Sequence, residues 1–170
     1  MIELLIMRHA KSDWSVGAAD FQRPLNRRGE RAAEQMATWL ADQDLHPDRV
    51  LSSSAVRART TAEAVVSACA VDSSAVNFDD ELYLTDVATW MKFLAAQVHD
   101  RVLICGHNFG LDDLVEHLSS TPPPLSQSGK LMTTAAIAHL RFDCSWKDVS
   151  AGSGELVQLV RPRELADPQT

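Results

Sequence analysis

Two histidines, each close to residues that bind anions, stand where an apolar run gives way to a polar turn. Arg8-His9 follows Ile2 to Met7, Ser52 to Arg57 follows Val50-Leu51, and Gly106-His107-Asn108 follows Val102 to Cys105. Arginine offers a planar fork that matches phosphate oxygens bidentately and keeps its charge at any physiological pH. Two such forks, from Arg8 and Arg57, suit a phosphoryl group. Transfer of that group without a metal needs charge stabilisation and a nucleophile placed in line. A neutral imidazole meets the second need when a carbonyl or carboxylate fixes its opposite N–H, so that the lone pair faces phosphorus. Either His9 or His107 fits that role.

These residues are far apart in sequence, so the fold must gather them. Short apolar runs alternate with helical periodicity, which predicts a three-layer α/β/α architecture with a largely parallel central sheet. Residues 2–7 read as a buried strand. Asn26 caps a helix over 27–42 with a stripe of Ala32, Ala33, Met36, Trp39 and Leu40. A strand at 50–51 and a helix over 56–69 follow, then a weak strand at 76–78, a loop over 79–84 and a helix over 87–98. A strand at 102–105 leads into a helix over 111–118. Three consecutive prolines make 121–130 a surface loop, and 133–140 and 156–160 read as closing strands. Ligands of open α/β sheets bind outside the carboxyl ends of the strands, where all three switches fall.

The 170 residues are 45% hydrophobic and 23% charged, the profile of roughly one globular domain. One domain over 1–162 and a short tail over 163–170 are expected. A net charge of -7 disfavours nonspecific nucleic-acid binding, which draws its affinity from neutralised phosphates. The charge is uneven, with the basic side chains favouring the first sixty residues. Cys69, Cys105 and Cys144 are odd in number and form no close pair, which fits a reducing compartment. No apolar run is long enough to span a bilayer. A cytoplasmic protein without membrane or nucleic-acid partners is expected.

Other chemistries fail on the same residues. A cysteine phosphatase needs an arginine six positions after its cysteine, and six after Cys105 stands Leu111. Asp42-Gln43-Asp44 lies at a polar helix end rather than after a strand, against an aspartyl-phosphate enzyme. His46, His99, His117 and His139 are scattered and lack ligand spacing. No catalytic metal and no other cofactor is expected.

The blocks LLIMRHAKSDW at 4–14, RPLNRRG at 23–29, SSAVRARTTAE at 53–63 and LICGHNFG at 103–110 closely resemble the histidine phosphatase superfamily, in particular its small SixA-like branch of phosphohistidine phosphatases. The resemblance implies a phosphoglycerate mutase-like fold, with His9 accepting the phosphoryl group and Arg8, Arg57 and His107 binding its oxygens. It implies Asn108 as a loop-shaping or phosphate-contacting neighbour. Ala10 stands where many members carry glycine, which is tolerated if the backbone there is not left-handed. Larger members place a glutamate after the third strand to protonate the leaving oxygen. Glu81 stands nearest that position, with Asp79 and Asp80 as alternatives.

The substrate follows from the acid. An alkoxide leaving group needs a positioned proton donor, a contribution of about 10² to 10⁴ in rate, whereas the labile P–N bond of phosphohistidine needs less. A weak acid motif, and connections too short for a helical roof, favour phosphohistidine on a signalling or phosphotransfer protein. A small phosphate-containing substrate with the same mechanism, or a non-catalytic phosphate-binding module, are the alternatives. Lys11, Ser12, Asp13 and Trp14 are expected on the near rim of the site. Arg23 is expected to pair with a carboxylate, and Arg59, about 200° around the helix from Arg57, to face solvent.

Overall fold

The computed structural model describes residues 1–165. Six strands, β1 Ile2–Arg8, β2 Arg49–Ser53, β3 Val76–Asp79, β4 Arg101–Gly106, β5 Ile137–Phe142 and β6 Glu155–Val160, alternate with four helices. These are α1 Arg27–Asp42, α2 Val56–Ala68, α3 Val87–Ala95 and α4 Gly110–Leu118. The strands form one sheet in the order β3-β2-β4-β1-β5-β6. Strands β1 to β4 run parallel, and β5 is antiparallel to both β1 and β6. The largely parallel sheet is therefore present, with β5 alone reversed.

The central strand β1 shows how the three layers arise. Leu4, Leu5, Ile6 and Met7 are all fully buried, as a strand covered on both faces requires. Leu4 and Ile6 pack with Trp90 and Leu94 of α3 and Leu111 and Leu114 of α4. Leu5 and Met7 point the opposite way, to Ala33, Met36 and Leu40 of α1 and Ala58, Ala62 and Val65 of α2. The period of two along the strand thus divides one apolar run between two helical layers. Asn26 caps α1 by accepting the Gly29 N–H at 2.8 Å. A Cβ on Gly29 would lie 2.0 Å from the Lys11 carbonyl oxygen, so only glycine lets α1 approach the loop behind β1.

Several boundaries differ from the sequence expectation. Helix α3 stops at Ala95, where Gln97 turns back to the Leu94 and Phe93 carbonyls; Val98 beyond it is exposed. Strand β5 begins at Ile137 rather than 133, because Ala135 takes a left-handed φ of 64. Its N–H donates at 3.1 Å to the carbonyls of both Arg8 and His9. Residues 133–136 therefore clamp the end of β1 instead of extending a strand. The expected tail does not begin at 163: Pro162–Glu164 forms a 3-10 turn beside α1, and Leu165 packs on the α1–α2 core. The rest of that tail, 166–170, lies outside the described residues.

Candidate active site

Strand register brings the switches together. Arg8 pairs with Gly106 across β1 and β4, and Ser52 pairs with Cys105 across β2 and β4. The residues just past these pairs therefore sit side by side at one sheet edge. His9 donates its backbone N–H to the Gly106 carbonyl at 3.0 Å, and the His9 and His107 rings lie 5.2 Å apart. Gly106 is required there, since a Cβ would meet the Trp90 ring at 2.7 Å. Arg8, His9, Arg57, His107 and Asn108 all line one cleft of about 1110 Å³.

The imidazole of His9 is held in one tautomer. Its Nδ1 lies 2.7 Å from the Ala10 carbonyl oxygen, which only accepts, so Nδ1 carries the proton and Nε2 keeps its lone pair. Ala10 is fully buried, is not left-handed, and donates its N–H to Thr61 Oγ1 at 3.0 Å, so alanine fits. His107 Nε2 lies 2.8 Å from Ser53 Oγ. That oxygen also accepts the Ala55 N–H at 3.2 Å, which frees its own proton for His107. His107 Nδ1 is left buried without a partner. The Tyr83 ring packs edge-on against His107 at 5.3 Å.

Both histidines are held neutral. Burial, opposed by the Ala10 carbonyl and reinforced by His107, Arg8 and Arg57, pulls His9 down to about 3. Burial and then Arg57 do the same to His107, down to about 3. Cys105, near the end of β4, is fully buried, and burial pushes its thiol up to about 12, which leaves no thiolate to act as a nucleophile.

The arginines are anchored by only part of their forks. Arg8 donates from one terminal nitrogen to the Met132 carbonyl at 2.9 Å, and its buried Nε has no partner. Arg57 donates to the Asp20 backbone carbonyl at 2.6 Å and to Asp20 Oδ2 at 3.0 Å, and its Nε is likewise buried and unpartnered. Asp20 also accepts from Arg23 at 2.6 Å and from the Tyr83 hydroxyl. The Tyr83 hydrogen bond and the two arginines outweigh burial and keep the Asp20 carboxyl ionised, far below the usual range. Asn108 donates to the Met132 carbonyl and accepts the Asp112 N–H, so it shapes the loop.

Glu81 does not join them. It sits on a 3-10 turn at Asp80–Leu82, capped by Asp79, and its carboxylate meets Lys92 at 3.2 Å with both side chains exposed. It is not among the cleft-lining residues; the exposed turn leaves it on the outer surface. Lys11, Ser12 and Trp14 line the cleft, while Asp13 caps the turn Trp14–Val16 instead. Arg23 pairs with Asp20 as expected and stacks on Trp14 at 3.6 Å. Arg59 is half exposed and pairs with Glu63. Sequence reasoning missed Asp20, Ser53, Thr61 and Tyr83. Only Asp20 left a signal, lying one 3-10 turn before Arg23.

The family model "Histidine phosphatase superfamily (branch 1)" matches residues 4–92. The phosphohistidine phosphatase SixA of Escherichia coli is 31% identical over 147 residues, covering 84% of this chain and 86% of that one. The chain belongs to the histidine phosphatase superfamily. A Mycobacterium tuberculosis relative is 33% identical over 164 residues, 92% of this chain and all of that one. A solved structure of the protein histidine phosphatase SixA complexed with tungstate superposes with a TM-score of 0.81 at 28% identity, covering 96% and 99% of the two chains. These place the chain in the SixA-like branch with a phosphoglycerate mutase-like fold, and make it a phosphatase. Among the described residues no helix is long and apolar enough to cross a membrane.

Proposed function

We propose that this phosphatase removes the phosphoryl group from phosphohistidine on a signalling or phosphotransfer protein, through a covalent intermediate on His9. His9 Nε2 attacks phosphorus while the bond from phosphorus to the substrate imidazole breaks. Arg8, Arg57 and His107 hold the phosphoryl oxygens, supplying charge where it develops. Water then attacks the phosphorylated His9, releasing phosphate and returning the neutral ring. The tautomer fixed by Ala10 supports this role, as does a neutral imidazole at physiological pH.

One observation supports the substrate class: the cleft holds no carboxylic acid able to donate a proton. Asp20 is kept ionised by Tyr83 and two arginines, and Glu164 is tied to Arg161 at 2.7 Å. Among the described residues no other Asp or Glu lines it. An alkoxide would leave such a site poorly. A phosphohistidine protonated on its second ring nitrogen leaves as neutral imidazole and asks for no acid.

The test compares a phosphohistidine peptide with phenyl phosphate, whose leaving group is poor. Wild type should cleave the peptide at least about 10²-fold faster and yield an acid-labile, alkali-stable phosphoenzyme on quenching. His9→Ala should lose both. Turnover retained in that variant would rule out the covalent route, and faster cleavage of the ester would shift the substrate to a small phosphomonoester.

A further inference from the structure

The outer cleft carries charge that the chemistry does not use. Lys11, Arg28, Lys130 and Arg163 line it and are exposed. None forms an ion pair among the described residues. The two carboxylates of the lining, Asp20 and Glu164, are already taken by Arg23, Arg57 and Arg161. A chain with net charge -7 thus surrounds one opening with unneutralised cations.

These cations stand on built supports. The Lys11 carbonyl accepts the Asn26 N–H at 3.0 Å and touches Gly29, which fixes Lys11 beside Arg28 in the first turn of α1. Arg161 is almost fully buried and donates to the carbonyls of Pro124, Lys130 and Leu131. It thereby ties the Lys130 loop to the turn that bears Arg163. Apolar groups stand among the charges. Trp14 is 77% exposed yet held by the Arg23 guanidinium stacked on its ring. Leu84 also lines the cleft, and Phe109, next to lining Asn108, is 79% exposed.

We infer that this rim is a docking surface for an acidic protein face that surrounds the phosphorylated imidazole. Exposed aromatic side chains, Trp14 and Phe109, interleaved with Arg28 and Arg163 have the composition of protein interfaces. The cations come from four separate segments around the opening: the loop after β1, α1, the loop before β5 and the turn after β6. The remaining acidic surface repels an acidic partner, so the rim also orients its approach. This inference rests on the phosphohistidine assignment above and adds the partner's charge and the surface that reads it.

The test uses two helical peptides carrying one phosphohistidine made with phosphoramidate. One bears glutamates three and four positions to either side, the other lysines. At low salt kcat/KM for the acidic peptide should exceed that for the basic one by about tenfold or more, and the ratio should fall toward one near 0.5 M salt. In Arg28→Glu with Lys130→Glu the preference should reverse, with an unchanged thermal midpoint reporting intact folding. Equal turnover of both peptides by wild type, or a preference that survives charge reversal, overturns the docking surface alone. Hydrolysis of phenyl phosphate with neither peptide cleaved overturns the phosphohistidine assignment itself. A dimer in sedimentation that the double variant dissolves would give the rim to a second copy and overturn the proposal.

Discussion

Strand β1 carries a histidine-arginine cluster at each end, and the two are built on opposite principles. At its start Glu3 accepts from Arg101 at 2.7 Å and lies 2.5 Å from His139 Nε2. Burial pushes the Glu3 carboxyl up, but the Arg101 and His139 hydrogen bonds outweigh it and hold it below the usual range. Arg101 also donates to the Asp44 and His46 carbonyls. One carboxylate therefore answers both bases. At its far end, among the described residues, Arg8, His9, Arg57 and His107 share no carboxylate that touches either histidine; Asp20 reaches the arginines and Tyr83. Arg8 Nε, Arg57 Nε and His107 Nδ1 are buried without partners. In the Glu3 cluster only His139 Nδ1 is buried without a partner, and the ion cluster there fastens the fold; at the far end three such atoms belong to residues that line one cleft and mark a place kept for an anion.

The largest contrast should appear when one histidine is removed from each end. His107→Ala should lower kcat/KM on a phosphohistidine peptide by about 10² to 10³, the usual loss for one donor aimed at developing charge. His139→Ala should leave kcat/KM within about threefold while lowering stability by about 1–3 kcal/mol, because it strands part of Glu3. Urea titration and steady-state kinetics on both variants decide it. Equal kinetic losses at the two ends would erase the distinction.

Arg57→Ala sharpens the anion half of the comparison. Removing its fork should weaken tungstate inhibition at least about tenfold, or about 1.4 kcal/mol. An unchanged inhibition constant would mean that Arg57 serves only to hold Asp20.

Acid should act on both ends, and burial lowers His139 beside Glu3 as well, although Glu3 opposes it. His9 and His107 sit at about 3 in the fold against about 6.5 in the unfolded chain. The unfolded chain therefore binds more protons in that window, and stability falls as pH drops through it. Glu3 is lowered instead, so its contribution is present above the ordinary carboxylate range and fades as pH falls below it. Between pH 7 and pH 5 His9 and His107 dominate, with a loss on the order of 2 kcal/mol each, about 4 kcal/mol together. His9→Asn should reduce that loss in urea titrations, and Glu3→Gln should leave it in place. The reverse result would put the acid sensitivity at the wrong end of β1.

Much of the site was legible because strand ends, caps and motif order are local. The run 2–7, the Asn26 cap and the turns after β1, β2 and β4 locate His9, Arg57 and His107 without any knowledge of packing. What escaped was set by partners distant in sequence. Ala135 binds the carbonyls of Arg8 and His9, so an apolar stretch that reads as strand becomes a clamp. Asp20 meets Arg57 from 37 positions away, and Arg161 reaches back to Pro124. Neither contact has a periodicity to betray it. Glu81 misled for the converse reason: an acid near the right sequence position says nothing about which side of a turn it faces.

Glu81→Gln should give the smallest effect of all. Its carboxylate meets only Lys92, both side chains being well exposed, and such pairs contribute about 0–1 kcal/mol. Turnover of the phosphohistidine peptide should change by less than about twofold, since an imidazole leaving group asks for little acid help. Phenyl phosphate makes the measurement decisive. If Glu81 swings inward to protonate a leaving oxygen, the variant should lose about 10² or more on the ester while the peptide is spared. If it stays with Lys92, both substrates are spared. In that case the cleft works without a carboxylic acid, and the preference for a leaving imidazole comes from what β3 and its following turn leave outside.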